Sequence, residues 1–322
     1  MALPEAPGPT SAPLTPDALS NHWSLRVLPG WARPYARLMR LERPVGWQLL
    51  FWPCALSSLL ASIAATDGAI QWWHLGLFLL GAIIMRGAGC TLNDLVDRDL
   101  DSQVARTAAR PIPSGEVSTS RALGFLIALL VVGFVILIQF NLFTIWLGVA
   151  SLALVAIYPF MKRFTNWPQV VLGLVFAWGA LVGWAAQTGT IDPPAIALYV
   201  ACVVWIIGYD TLYAFQDIED AELVGIGSPA RALGTSAPTF VGFCYALTVA
   251  LIAYALWAVD AGVLAYAGLF AGAVHFGWQI ATLDLDDPLG CFRRFKSNTL
   301  TGALIAGGLM TDLLTRGVMT AF

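Results

Sequence analysis

Nine apolar stretches, each about as long as a bilayer is thick, follow one another from Val45 to the end of the chain. A helix of roughly 20 mostly apolar residues crosses a bilayer. Charged residues make up only 11% of the sequence, against about 25% in soluble domains. The sequence therefore predicts an all-α, polytopic membrane protein with nine transmembrane helices. The predicted spans are 45–65, 72–92, 120–140, 142–160, 169–187, 194–216, 238–258, 261–282 and 300–320.

Basic residues mark every second connection between these spans. Five arginines precede the first span. Further arginines and lysines lie in the connections 93–121, 161–168, 217–237 and 283–299. The connections between them carry no basic residue. Because positively charged loops stay on the cytoplasmic side, this alternation predicts a cytoplasmic N-terminus and, with nine spans, a periplasmic C-terminus.

The start of the chain differs in composition from the rest. Residues 1–37 are expected to form a disordered or amphipathic cytoplasmic segment, because their first part is rich in Pro, Ala and Ser. Residues 38–322 are expected to form the nine-helix membrane domain. The N-terminal segment lacks the apolar core of a signal peptide, and it has no arginine before Arg26, unlike a mitochondrial transit peptide. The sequence therefore predicts a multi-pass protein of the bacterial cell inner membrane.

An acidic stretch, NDLVDRDLD at 93–101, directly follows the second predicted span. On a helix its polar residues share one face, because Asn93, Asp97 and Asp101 step by four and Asp94 lies three before Asp97. Arg86 lies seven residues before Asn93, at nearly the same angle and two turns into the membrane. A charged residue there costs about 2.5–3.5 kcal/mol, so this face must look onto a polar interior.

A second acidic stretch, YDTLYAFQDIEDAEL at 209–223, follows the sixth predicted span. Asp210 and Asp217 lie seven residues apart and share a face. Spans two and six run in the same direction, so both acidic stretches are expected on the cytoplasmic side, where they can converge on one pocket. Converging carboxylates repel one another unless a cation lies between them, and Mg²⁺ takes carboxylates together with phosphate oxygens.

Basic residues on the same side complete this interpretation. They are Arg86, Arg106, Arg110, Lys162 and Arg163. Arginine forks match phosphate oxygens, so the pattern predicts a site for a diphosphate carried by an apolar chain. Two other interpretations are open. The acidic residues can belong to solvated loops, or they can line an ion pathway in a transporter, although transporter sites lie near the bilayer midplane.

The first acidic stretch resembles the N-D-x-x-D-x-x-x-D motif of the UbiA superfamily of intramembrane prenyltransferases. Further stretches are similar to the 4-hydroxybenzoate polyprenyltransferases of ubiquinone synthesis, and together they cover nearly all of the chain after residue 37. These are RLERPVGWQLLFWP at 40–53, RTAARPIPSG at 106–115, YPFMKRFTNWPQVVLGLVFAWG at 158–179, YDTLYAFQD at 209–217 and WQIATLDLDDP at 278–288.

The resemblance implies a bundle of nine helices around a central cavity that opens near the cytoplasmic face. It also implies two Mg²⁺ ions that bridge the acidic motifs and the diphosphate. The first metal set would be Asn93, Asp97 and Asp101, with Asp94 close by. Asp217 would open the second motif. Relatives read D-x-x-x-D there, but this chain has Ala221 at the fifth position. Either Asp220 or Glu222 would take its place, or the second ion would be held more weakly.

The implied reaction transfers a polyprenyl group from an allylic diphosphate to 4-hydroxybenzoate, ortho to the hydroxyl. The implied catalytic residues are Asp210, Arg86, Lys162, Tyr158 and Tyr213, with the two tyrosines facing the allyl cation and Asp210 contacting the phenol or removing the ring proton. The implied substrate-binding residues are Arg43, Arg106, Arg110 and Arg163. The same chemistry on a naphthoate, homogentisate or haem acceptor is an alternative. The expected partners are the two substrates and the lipid bilayer. The net charge of −3 gives no reason to expect nucleic acid, and no protein partner follows from the sequence.

Overall fold

The protein is represented by a computed structural model, which describes residues 22–65, 68–103, 107–161, 164–165, 167–217 and 228–319. Within these residues every regular element is a helix. The α-helices are α1 (Trp23–Arg26), α2 (Arg33–Leu38), α3 (Val45–Ala64), α4 (Trp72–Val96), α5 (Arg98–Asp101), α6 (Thr119–Leu137), α7 (Leu142–Met161), α8 (Pro168–Thr188), α9 (Pro193–Ala214), α10 (Pro229–Leu233), α11 (Ala237–Ala258), α12 (Val263–Ala281) and α13 (Pro288–Met319).

Eight helical segments of the described chain are long and apolar enough to cross a membrane. They are Val45–Ala64, Trp72–Val96, Thr119–Leu137, Leu142–Met161, Pro168–Thr188, Pro193–Ala214, Pro229–Ala258 and Val263–Ala281. The predicted spans 45–65 to 261–282 coincide with these eight, so the all-helical membrane architecture is confirmed. Proline begins α8 and α9, since the first helical position has no need of an N–H donor.

The ninth predicted span, 300–320, coincides with the second half of α13. That helix is not among the eight, because Asn298, Asp312 and Arg316 make it more polar than the others. Asp312 is nonetheless buried. Its Oδ2 accepts a hydrogen bond from the backbone N–H of Gly262 at 2.9 Å and one from Arg316 Nε at 2.9 Å. The count of nine spans stays a prediction.

The chain divides into two compact units, and the first contains the described residues of Met1–Gly46 and Ile84–Val132. Leu38 at the end of α2 packs in a buried cluster with Ile112, Val117 and Ala122. The ring of Tyr35 lies 5.0 Å from that of Phe125. Part of the predicted N-terminal segment 1–37 is therefore packed helix in this unit, whereas residues 1–21 lie outside the described chain.

The second unit contains the described residues of Trp47–Ile83 and Gly133–Phe322. Its helices meet at small residues, as is usual for helices packed in a bilayer. A β-carbon added to Gly268 of α12 would lie 2.6 Å from the α-carbon of Gly308 of α13, so these two backbones touch. Gly189, with φ of +70°, ends α8 in the left-handed conformation and lets the chain reverse into α9.

Four helices of the second unit are joined by a buried hydrogen-bond network centred on Asn298 of α13. Trp205 Nε1 of α9 donates to Asn298 Oδ1 at 2.8 Å. Asn298 Nδ2 donates to Gln279 Oε1 of α12 at 3.2 Å, and the Tyr245 hydroxyl of α11 donates to the same oxygen at 2.9 Å. A bilayer core supplies no water to such groups, so the network satisfies them internally and fixes the four helices to one another.

Replacing Asn298 by leucine is expected to lower the free energy of unfolding by about 2 kcal/mol, because the interhelical hydrogen bonds it removes are worth about 0.6 kcal/mol each in membranes, up to about 1.7. Denaturant unfolding in detergent measures the change. Thr315→Ala on the same helix is the control, since that hydroxyl bonds the carbonyl of Asp312 within α13 at 2.8 Å. Equal stability of the two variants would contradict the proposed joint between helices.

Candidate functional site

The first acidic motif is not one continuous helix. Helix α4 ends at Val96, and Asp97 has φ of −97° and ψ of 4° before α5 begins at Arg98. The spacing nevertheless persists, because the N–H of Asp97 bonds the carbonyl of Asn93 at 2.9 Å and the N–H of Asp101 bonds that of Asp97 at 2.8 Å. The predicted order of the polar residues is kept across the break.

Two arginines meet two carboxylates of this motif in a cluster of four side chains. Arg40 donates to Asp94 Oδ1 at 2.6 Å. Arg110 lies between the two acids, 3.2 Å from Asp94 Oδ1 and 2.6 Å from Asp101 Oδ2. The Asp94 side chain is fully buried and the other three are largely buried. We call these four residues the ionic cluster. It belongs entirely to the first unit.

The ionic cluster has shifted proton affinities that follow from burial and pairing. Burial alone would lower the pKa of the Arg40 guanidinium, but Asp94, Cys90 and Glu42 together outweigh it and the pKa is raised. Burial raises the pKa of Asp101, against the opposing effect of Arg110. Arg40 also adopts φ of +57°, a left-handed conformation that costs a non-glycine residue energy. The surrounding contacts hold this residue in place.

The predicted residue Arg86 lies against Gly46 within the same unit. A β-carbon at Gly46 would lie 2.5 Å from Arg86 Nε and 3.1 Å from its Cζ. The glycine of the R-P-V-G stretch therefore makes room for this guanidinium. Arg43, three residues earlier, has its Nε 3.4 Å from Oε1 of the buried Glu42. The two predicted arginines Arg43 and Arg86 thus both lie against residues of the first unit.

Replacing Gly46 by alanine is expected to displace the Arg86 guanidinium and to lower turnover about tenfold. Thermal stability should change little, since the added methyl group meets the flexible end of a side chain rather than backbone. Steady-state rates and thermal unfolding of the purified protein measure the two effects. Gly124→Ala, where no atom lies within 4 Å of an added β-carbon, is the matched control. A Gly46→Ala variant with normal turnover would show that Arg86 needs no such space.

The oxygen atoms of the first motif suit a hard cation. Asp94 Oδ2 is buried and has no hydrogen-bond partner, and Asp97 is buried close to it in sequence. The predicted ligands offer carboxylate and amide oxygens, which Mg²⁺ prefers. Among the described residues no three acidic, histidine or cysteine side chains are grouped as a metal site. Arginines occupy Asp94 Oδ1 and Asp101 Oδ2.

The second motif begins on α9, where aromatic residues line up every fourth position. The ring of Tyr209 lies 6.2 Å from that of Trp205 and 5.6 Å from that of Phe295 on α13. Tyr213 lies 4.9 Å from Phe295 and 6.2 Å from Phe292. The predicted Tyr213 therefore belongs to an aromatic surface of the second unit to which α13 also contributes.

The remaining predicted site residues are described unevenly. Asp210 is half-buried on α9, and Tyr158 is half-buried in the last turn of α7. The backbone of Asp217 closes a 3₁₀ turn after α9. Four predicted residues lie outside the described chain, namely Arg106, Lys162, Arg163 and Asp220, and so do Ala221 and Glu222. Convergence of the two acidic motifs on one pocket stays a prediction.

Three residues of interest were not predicted as site residues. Arg40 stands at the start of the R-L-E-R-P stretch. Its charge next to a predicted span could have marked it as a site residue, but its partner Asp94 lies 54 residues away in the sequence. Phe295 follows two arginines in α13 and carried no signal of its own. Gln169 is a polar residue at the start of the apolar helix α8. It is 1% exposed, and both of its side-chain polar atoms lack a hydrogen-bond partner.

Known proteins resemble this chain over most of its length. The model of the UbiA prenyltransferase family matches residues 50–304. The 4-hydroxybenzoate polyprenyltransferase of Drosophila melanogaster is 44% identical over 292 residues, which is 90% of this chain and 74% of that protein. The Homo sapiens protein of the same name is 44% identical over 283 residues, which is 86% of this chain and 75% of that protein.

Solved structures share the fold. A UbiA homologue from Aeropyrum pernix K1, solved in its apo form, superimposes with a TM-score of 0.67 at 24% identity, covering 82% of this chain and 97% of that one. A homologue from Archaeoglobus fulgidus, solved with GPP and Mg²⁺ bound, gives a TM-score of 0.64 at 21% identity, covering 87% and 99%.

The relatives overturn the predicted location. The proteins from Drosophila melanogaster, Bos taurus and Homo sapiens are all named as mitochondrial enzymes. The prediction of a bacterial cell inner membrane was therefore wrong. Alternating basic connections and apolar spans record which side of a membrane each loop faces, but they do not identify the organelle.

The resemblance drawn from the motifs is confirmed at both levels, for the superfamily and for its 4-hydroxybenzoate branch. The family match over residues 50–304 covers seven and most of the eighth of the helices that are long and apolar enough to cross a membrane. The chain belongs to the UbiA prenyltransferase family.

Proposed function

We propose that this protein transfers a polyprenyl group from an allylic polyprenyl diphosphate to 4-hydroxybenzoate, as a step of ubiquinone biosynthesis in a mitochondrial membrane. The observation that carries the proposal is the ionic cluster. It pairs buried carboxylates of the family's first motif, which follows a helix long and apolar enough to span a membrane, with Arg40 and Arg110 from neighbouring stretches. The shared name of relatives about 44% identical over most of the chain supports the acceptor.

The oxygen ligands of the first motif would hold Mg²⁺. Asn93, Asp97 and Asp101 are the proposed first set, and the second motif, from Asp217 with Asp220, is the proposed second set for a second ion. When bound, the metal neutralises charge on the diphosphate as it leaves. Asp94 is proposed close to this set, since its Oδ2 has no hydrogen-bond partner while its Oδ1 accepts from two arginines. It positions Arg40 and Arg110 beside the metal-binding residues.

The basic residues stabilise the negative charge that develops on the leaving diphosphate. Arg110, which is held by its ion pairs, and Arg86, which lies against Gly46, are proposed to supply these charges in the first unit. Preorganised charges are worth most in a site that excludes water. Arg106, Lys162 and Arg163 are proposed to add to them. As the allylic C–O bond breaks, its electron pair stays with the diphosphate oxygen and a positive charge spreads over the allyl carbons.

The aromatic surface of α9 and α13 suits this positive charge. Tyr213, which packs on Phe295, would present a π face to the cation, and Tyr158 is proposed beside it. The ring carbon ortho to the acceptor hydroxyl forms the new C–C bond. Asp210 then takes the ring proton or contacts the phenol, and Arg43 pairs with the carboxylate of the acceptor.

The wider architecture that we propose has nine helices, with α13 as the ninth, around a central apolar cavity. The polar head of the prenyl donor would lie at the basic side of the membrane. Its isoprenoid tail would stay out of water, which is worth about 0.8 kcal/mol per CH₂. A site of this kind needs no soluble pocket matched to the length of the tail.

The test is an acceptor panel with purified protein in lipid. 4-Hydroxybenzoate, a hydroxynaphthoate and homogentisate are each offered with a polyprenyl diphosphate and Mg²⁺, with and without EDTA. Prenylated 4-hydroxybenzoate that disappears with EDTA is expected. Product from another acceptor alone would replace the acceptor but keep the chemistry. Solute flux across vesicles without release of diphosphate would favour a transporter and overturn the proposal.

A further inference from the structure

Gln169 is the least satisfied polar side chain near the second motif. It is 1% exposed, and neither Nε2 nor Oε1 has a hydrogen-bond partner, although both atoms are buried. A buried polar group without a partner loses its hydration and gains nothing in return, so such groups in a folded protein call for an explanation. A second glutamine of the same helix shows the usual state, because Gln187 donates to the Ser58 carbonyl at 2.7 Å.

The packing of α8 against α9 places Gln169 beside the second motif. A β-carbon at Gly173 would lie 3.0 Å from the Val203 carbonyl oxygen and 3.5 Å from Ile207 Cγ1. Next to Gly173, the Leu174 carbonyl accepts a hydrogen bond from the Tyr199 hydroxyl of α9 at 3.2 Å, and near the connection between the helices Trp184 Nε1 donates to Asp192 Oδ2 at 2.8 Å. The two helices are antiparallel neighbours joined by a short connection. The turn before Gly173, which carries Gln169 on the same face, therefore lies beside residues 207–211 of α9.

We infer that Gln169 binds the phenolic hydroxyl of the aromatic acceptor and selects for it. This inference deepens the proposed function and rests on it. Asp210, the proposed partner of the phenol, belongs to the segment 207–211 of α9 beside which the turn with Gln169 lies. The carboxamide has one donor group and one acceptor atom unpaired. A phenol hydroxyl is likewise both donor and acceptor, so it satisfies Nε2 and Oε1 together.

The acceptor's carboxylate fits this position less well. A carboxylate only accepts hydrogen bonds, so it would satisfy Nε2 but leave Oε1 buried beside a negative charge. An apolar ring edge would leave both atoms unpaired. Sites built to hydrogen-bond a substrate hydroxyl reject analogues that lack it, since the buried partners then stay unsatisfied. The unpaired carboxamide therefore serves selection as well as binding.

The experiment compares two ligands on three forms of the full-length protein. Isothermal titration calorimetry in detergent measures the dissociation constants of 4-hydroxybenzoate and of benzoate, which lacks the hydroxyl, for the unmodified protein, Gln169→Met and Gln187→Met. The preference of the unmodified protein for 4-hydroxybenzoate is expected to fall about tenfold in Gln169→Met, which corresponds to about 1.4 kcal/mol. It should be unchanged in Gln187→Met, and KM for the prenyl diphosphate should be unchanged in both variants.

Thermal stability without ligand separates this role from a structural one. Gln169→Met removes an unsatisfied group and keeps the volume, so its unfolding midpoint should equal or exceed that of the unmodified protein. Gln187→Met breaks existing hydrogen bonds and should unfold at a lower temperature. An unchanged ligand preference in Gln169→Met, or equal weakening of both ligands, would overturn the inference while the proposed function stands. If the unmodified protein neither binds nor prenylates 4-hydroxybenzoate, both fail.

Discussion

Replacing Asp97 by alanine is expected to reduce prenyl transfer by about 10²–10³-fold, the loss typical when one preorganised charge partner of a transition state is removed. Asp97 is 1% exposed and stands at the break between α4 and α5, and in sequence it lies midway between the proposed ligands Asn93 and Asp101. Initial rates with 4-hydroxybenzoate and a polyprenyl diphosphate measure the loss. Mg²⁺ should also raise the unfolding temperature of the unmodified protein but not that of the variant.

The chain offers a matched control two residues further along. Asp99 belongs to the same motif, but its side chain is 85% exposed and meets only the exposed Arg98, at 3.3 Å, among the described contacts. Asp99→Ala should keep its rate within about twofold, because exposed pairs contribute little. Equal losses in both variants would mean that the overall charge of the motif matters, rather than the buried ligand, and would contradict the proposed metal set.

Replacing Asp94 by alanine is expected to have the largest effect on stability, a loss of about 3–5 kcal/mol in the free energy of unfolding. That range is typical when one partner of a buried ion pair is removed and the other charge stays buried. Arg40 would be left facing Arg110, since both now donate to Asp94 Oδ1. Chemical denaturation in detergent measures the loss.

Two further variants show whether repulsion between the arginines is the cause. Arg40→Met in the Asp94→Ala background should restore part of the stability, because it removes the unpaired charge. Glu116→Ala breaks an ion pair with Arg37 in the same unit, but that pair is more exposed and should cost about 0–1 kcal/mol. If the double variant is no more stable than Asp94→Ala, the loss has another origin, such as the cavity left by the side chain.

The apolar stretches predicted the helices well, because in a bilayer every backbone group must be bonded within its own segment. Eight predicted spans end within a few residues of the helices. The break at Asp97 was not predicted, since helical spacing reports which residues share a face and takes the helix to be continuous. The start of α13 at Pro288 was not predicted either, because basic residues between two apolar spans are typical of a loop.

The contacts of the candidate site were harder to predict than its residues. Asp94 was predicted close to the metal from its place in the motif, but its buried partner Arg40 comes from a separate segment. Nothing in a single sequence shows which distant charge meets which. For Gln169 the sequence likewise does not show whether the side chain has a partner. Its polarity was visible at the start of α8, whereas its lack of a partner depends on how α8 packs.

The ionic cluster is electrically neutral, since two guanidinium groups meet two carboxylates, and this bears on how the chain enters the membrane. All four residues lie within the first 110 positions. The cluster can therefore close once the first two spans are in place, while the later spans are still being synthesised. Insertion then buries a balanced assembly instead of an isolated ion, which would cost several kcal/mol. A chain truncated before Arg110 would leave Asp101 without its guanidinium partner. We expect this unpaired, buried carboxylate to be recognised by membrane quality control.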